Sequence, residues 1–140
     1  MKNRILAIVG LALLAAVSAS AQYSQATRVK VPFSFQAGDR HMPAGMYLIT
    51  QPSTDVIRLD GPSTVGVIFL THQERARKAH DKACVTFHRV GERYFLKGIW
   101  SANERDGMEL YPSRAEKETL EATIHPPNLT TVALNSEPER

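Results

Sequence analysis

Between Arg28 and Gln36 the chain alternates without a break. Val29, Val31, Phe33 and Phe35 take one set of positions; Arg28, Lys30, Pro32, Ser34 and Gln36 take the other. Successive side chains of a strand point to opposite faces, so a period of two with this contrast describes a half-buried β-strand rather than a helix. Such a strand must lay its apolar face against other strands or a helix. Pro32 has no N–H to give to a ladder, which predicts an edge position or a bulge there.

Turn residues cut the next forty residues into short pieces. Ala37-Gly38-Asp39-Arg40 and Pro43-Ala44-Gly45 are turns, Met46 to Gln51 is a strand, and Pro52-Ser53 breaks it. Asp55 to Leu59 is a further strand, reversed by Asp60-Gly61-Pro62-Ser63. Val65, Val67 and Phe69 alternate with Gly66, Ile68 and Leu70, so this strand is expected to be central and covered on both faces. From His72 to Lys82 the apolar pattern stops, and the charge-rich stretch reads as a long surface loop.

Cys84 to Val90 and Tyr94 to Ser101 flank Gly91-Glu92 and predict a hairpin. Val85 and Phe87 would share a face with Tyr94, Leu96 and Trp100, or with Phe95 and Ile99. Asn103 to Gly107 is a polar turn. Ser113-Arg114-Ala115-Glu116 has the form of a capping box, which predicts a helix over 114–122, ended by Pro126-Pro127. Thr130 to Leu134 offers a last strand packed on the sheet, and residues 136–140 fray. The fold class is therefore mainly β: a small antiparallel β-barrel or β-sandwich with one short C-terminal helix. The strand pattern does not separate barrel from sandwich.

The first residues are of another kind. Lys2 and Arg4 precede an apolar run from Ile5 to Val17, and Ala19-Ser20-Ala21 has the small residues of a signal-peptidase site. Residues 1–21 are expected to be a cleaved signal peptide, and 22–140 a single β-rich domain, periplasmic or extracellular. The run falls short of the roughly 20 residues of a membrane span, so no stable span is expected after cleavage. The leader has no cysteine to carry a lipid.

The chain's formal charge is +3, and removing Lys2 and Arg4 brings the mature part close to neutral. That argues against nucleic acid as a partner. The chain has one cysteine, Cys84, so an exported monomer has no internal disulfide and depends on its core. Cys84 sits in an apolar stretch and is read as a small buried hydrophobe.

Two stretches resemble a family of small exported bacterial proteins with no assigned activity. The first is Val31-Pro32-Phe33-Ser34-Phe35 followed by Met42-Pro43-Ala44-Gly45-Met46-Tyr47. The second runs from Phe87-His88-Arg89-Val90-Gly91-Glu92-Arg93-Tyr94-Phe95-Leu96 through Ile99-Trp100 and Glu109-Leu110 to Ser113-Arg114-Ala115-Glu116. The resemblance covers roughly residues 29 to 121 and implies export and a β domain. It carries over no catalytic residue, ligand or partner.

Chemistry-bearing constellations are few. The five histidines (His41, His72, His80, His88 and His125) show neither His-x-His nor His-Glu-x-x-His spacing, so no metal is expected. No Gly-x-Ser-x-Gly elbow and no phosphate-cradling glycine loop is present, so no catalytic residue is named. Cys84 and His88 lie about 13 Å apart along a strand, too far for proton transfer. The cluster Arg75, Arg77, Lys78 and Lys82 is interrupted by Glu74 and Asp81 and has no interleaved aromatics.

His88, Arg89 and Trp100 are the candidate ligand-binding residues. With Phe87 inward, His88 faces out beside Thr86, and Arg89 is inward or pairs with Glu92, Glu104 or Asp106. No cofactor is expected. Two functions remain: a non-catalytic structural or binding module of the envelope or extracellular space, or a small secreted hydrolase or metal-dependent enzyme. The second would use His88, Arg89 and carboxylates between Glu104 and Glu109. The first is preferred; its partner is open, with an envelope protein or a glycan as candidates.

Overall fold

The computed structural model describes residues 26–133. The leader, Leu134 and the expected fraying end lie outside the described residues. Ten strands and one helix follow in order: β1 (Thr27–Val31), β2 (Phe35–Ala37), β3 (Arg40–Met42), β4 (Gly45–Ser53), β5 (Val56–Gly61), β6 (Thr64–Arg75), β7 (Cys84–Val90), β8 (Arg93–Trp100), β9 (Asp106–Leu110), α1 (Arg114–Glu121) and β10 (Asn128–Ala133). Among the described residues the protein is mainly β, with one short helix near the C-terminal end.

The strands form two layers joined by one long strand. β1, β4, β5 and the first half of β6 make one antiparallel layer. The second half of β6, from Thr71 to Arg75, pairs with β9 and begins the other layer, which continues through β8 and β7 to β10. On β8, the edge opposite β7 is shared: β9 takes Gly98 to Trp100, and β2 meets it in parallel at Gln36 opposite Phe95. β3 folds back on β2. β1 and β10 come near each other without forming a ladder, so the sheet does not close. The arrangement is sandwich-like and not a closed barrel.

The alternation at the start is real, but it spans two strands. Val29, Val31 and Phe35 are all buried, yet β1 ends at Val31 and β2 begins at Phe35 in the other layer. Pro32, which cannot donate, sits where the chain leaves one layer for the other. Phe33 bridges the crossing by stacking on Tyr94, with ring centroids 3.8 Å apart, and meeting the edge of Phe87 at 5.1 Å. The core between the layers is completed by Tyr47, Ile57, Leu59, Val85, Leu96 and Leu110.

Two expectations fail at β6. The strand is central, but its outer face is open: Ile68 and Leu70 are 61% and 66% exposed. His72 to Arg75 belong to the strand, and the loop is only residues 76–83, because β9 supplies a ladder for these polar residues. β9 itself falls partly within and just after what reads as a polar turn.

The β7–β8 hairpin turns at Gly91, whose φ of 62° lies where glycine is favoured. Neither of the two expected facing sets is realised. Phe87 pairs with Leu96 and Thr86 with Gly98, which leaves Lys97 as an extra residue, a β-bulge. Tyr94, Leu96 and Ile99 therefore pack with the core, and Lys97, Gly98 and Trp100 belong to the outer face. β10 adds antiparallel to β7, starting at Asn128, earlier than the expected Thr130.

Candidate functional site

The outer face of the second layer carries the polar residues that the topology brings together. β7 contributes Thr86 and His88, β8 the bulged Lys97 and Trp100, β9 Glu109, and β6 His72 and Glu74. A cavity of about 380 Å³ on this face is lined by Glu74, His80, His88, Lys97, Trp100 and Glu109, among others. Its roof is the 76–83 loop, pinned by three hydrogen bonds at Ala76 and His80. Ala76 N–H donates to Arg105 O (2.8 Å), Arg105 Nε to Ala76 O (3.0 Å), and Asn103 N–H to His80 O (2.7 Å). The His80 ring then lies 5.1 Å from that of Trp100.

Several of these side chains are held by a nearby partner. Trp100 Nε1–H donates to Thr86 Oγ1 at 3.1 Å, fixing the indole beside Gly98 and across Gly107, where a Cβ would collide with it. Lys97 Nζ lies 2.8 Å from Glu109 Oε2, with both side chains largely sheltered. His88 Nδ1 is 2.9 Å from Glu116 Oε1, and Glu116 is buried.

Glu116 comes from α1. Ser113 caps this helix by accepting the Glu116 N–H at 3.1 Å, as the sequence motif predicts. The Glu116 carboxylate, however, goes to the sheet. A second tether joins Arg93 to Thr119 Oγ1 (2.8 Å) and to Gln36 Oε1 (2.9 Å). Phe95, the cross-strand partner of His88, is buried under this arrangement with the Arg93 guanidinium 5.1 Å over its ring.

The structure separates His88 from Arg89. His88 faces the cavity. Arg89 is exposed, donates from Nε to Gly91 O (3.0 Å), lies 3.8 Å from Glu92 Oε1, and covers the Tyr94 ring at 5.6 Å. Of the carboxylates between Glu104 and Glu109, Glu109 lines the cavity with His88, but Lys97 holds it. Trp100 is buried and forms a wall shared by this cavity and a second one.

The second cavity, of about 620 Å³, opens at the end of the sandwich between the two layers. Ile49 from β4 and Ile99 and Met108 from β8 and β9 form its apolar floor, and Thr27, Gln51 and Gln73 bring polar groups to it. Asp106 is the one acidic residue among its lining residues. Cys84, next in the chain to the lining residue Ala83, is buried, and burial pushes its thiol pKa up, away from a reactive thiolate.

Sequence reasoning missed Glu116, Lys97 and the His72–Glu74–Glu109 group. Glu116 carried a visible signal but for a local role. His72-Gln73-Glu74 has strand spacing that puts two ligating side chains on one face, a signal masked by reading the stretch as a loop. Among the described residues no helix is long and apolar enough to cross a membrane. Comparison with known proteins finds no matching family model, no matching curated protein and no matching solved structure.

Proposed function

We propose that this chain is an exported, non-catalytic binding module of the envelope or extracellular space; its resemblance to small exported bacterial proteins supports the export. It takes its ligand in the inter-layer end cavity. The observation that carries this reading is the make-up of that cavity: an apolar floor of Ile49, Ile99 and Met108 edged mostly by uncharged polar side chains, with Asp106 the one acidic group among its lining residues. Small-molecule sites are commonly concave and mostly apolar, with a few polar groups that orient the ligand. On the outer face, His88 is engaged by Glu116, and Arg89 stands apart. That supports a scaffold role for these groups.

The test is recovery of the protein from its producing cell, N-terminal sequencing, and native mass spectrometry. The reading expects a chain beginning at Gln22 and a co-purifying small molecule lost in Ile49→Trp, which fills the cavity. A chain that retains residues 1–21 in the cytoplasm, or a ligand bound equally by Ile49→Trp, would overturn it.

A further inference from the structure

His72 stands in an unusual setting on the outer face. Its Nε2 lies 3.8 Å from Glu74 Oε2 and 4.0 Å from Glu109 Oε2, both beyond hydrogen-bond reach. Its Nδ1 is buried with no hydrogen-bond partner among the described residues. The nitrogen that faces the two carboxylates is Nε2, and neither carboxylate is close enough to accept a hydrogen bond from it, so this edge of the half-buried ring has room for a shared partner. The three ligating atoms lie within 4.8 Å of one another.

That spacing is close to what a shared cation requires. Zinc–nitrogen and zinc–oxygen bonds of roughly 2.0–2.2 Å put tetrahedral ligands about 3.3–3.5 Å apart. Glu74, 48% exposed, can approach by rotating its side chain, and the 4.0 Å between His72 Nε2 and Glu109 Oε2 closes as the Glu109 carboxylate turns from Lys97 toward the ion. The backbone placing the trio is firm: His72 and Glu74 are two apart on β6, and Glu109 is the direct cross-strand partner of His72 on β9. One imidazole and two carboxylates form a donor set suited to zinc, whereas calcium and magnesium take oxygen ligands.

We infer that His72, Glu74 and Glu109 form a zinc-binding site on the outer face, with Lys97 as its internal competitor. The ammonium of Lys97, 2.8 Å from Glu109 Oε2, neutralises this carboxylate when zinc is absent and is displaced when zinc binds. The bulge at Lys97 is what brings the ammonium to this face. The inference is independent of the end-cavity reading, because none of the three ligands lines that cavity.

The experiment is isothermal titration of the full-length chain with zinc chloride, with magnesium and calcium chloride as controls. Three variants are compared, with circular dichroism as the check of fold: His72→Ala, Glu109→Gln and Lys97→Met. The expected result is one zinc ion per chain, no heat from magnesium or calcium, and affinity weakened about tenfold or more in His72→Ala and Glu109→Gln. Lys97→Met, which removes the competitor and keeps both carboxylates, should bind zinc more tightly. Absence of saturable zinc binding in both the unaltered chain and Lys97→Met would overturn the assignment. So would His72→Ala binding as tightly as the unaltered chain, since the ion would then sit on another histidine.

Discussion

His88 and Glu116, 28 residues apart in sequence, meet at 2.9 Å between Nδ1 and Oε1, and this contact fastens the helix to the sheet. The carboxylate is nearly out of solvent, so it depends on the imidazole. Glu116→Ala should lower stability by about 1.5–3 kcal/mol in urea unfolding, the range for hydrogen bonds to charged groups. The same change should free the end of α1 without unfolding the sandwich. A double-mutant cycle with His88→Ala isolates the pair, with a coupling of roughly 0.5–3 kcal/mol expected. Additive effects would show that the helix is held by Arg93 and Thr119 instead.

The Trp100 indole lies flat over Gly107 and depends on the space that its missing side chain leaves. A Cβ at Gly107 would lie 2.3 Å from Trp100 Cε3 and 2.8 Å from Ile99 O. The backbone carbonyl cannot yield, so the indole must. Gly107→Ala is expected to cost roughly 1–3 kcal/mol, the usual range for overpacking. Trp100 is the chain's single tryptophan, so its emission reports the displacement directly. A variant with unchanged melting and unchanged emission would contradict the placement of the indole across β9.

Much of the fold can be read from local patterns, and the parts that cannot share a physical cause. The burial of Val29, Val31 and Phe35, the β7–β8 hairpin and the Ser113 cap are each specified by residues close in sequence, through alternation, a tight turn and a capping hydroxyl, whereas the break that sends β1 and β2 to different layers leaves the alternation unchanged. β9 and the end of β6 are specified by each other. Neither Asp106–Leu110 nor His72–Arg75 has a strong apolar alternation, and each becomes a strand because the other completes its ladder. The same applies to the site. His88 facing outward follows from Phe87 facing inward, but its partner Glu116 is set by where α1 docks. Lys97 reaches Glu109 only because a bulge shifts the register between Phe87 and Thr86. A bulge leaves no clear mark in side-chain periodicity, and that is why neither facing set expected for the hairpin is complete.

Cys84 tests whether the core is closed at this end of β7. Its side chain is buried, and burial raises the thiol pKa, so little thiolate is present near neutral pH. Labelling by a maleimide at neutral pH should be slow in the folded protein and fast in urea. In the folded protein, the rate should follow the opening equilibrium as denaturant is added. Fast, denaturant-independent labelling would mean that the thiol is accessible in the native state.

Asp60 links the turn between β5 and β6 to acid stability. The Arg58 guanidinium, with Nη2 3.1 Å away, is the main cause holding its carboxyl below the ordinary value of 3.8. Partial burial pushes the other way, and the Gly66 N–H, donating at 2.6 Å, adds to the lowering. A folded pKa below the unfolded one means that the unfolded chain binds the proton more readily. The contribution to stability is therefore complete above the unfolded pKa and is lost as the pH falls through the folded one. Asp60→Asn keeps an acceptor for Gly66 N–H but removes the charge opposite Arg58. The variant should be less stable than the unaltered chain at neutral pH, by thermal melting, and the gap should narrow as the pH drops below the ordinary carboxylate range. Because the pair is exposed, added salt should also narrow the gap. A gap that persists unchanged into acid would assign the loss to the amide's geometry at Gly66 rather than to the charge of Asp60.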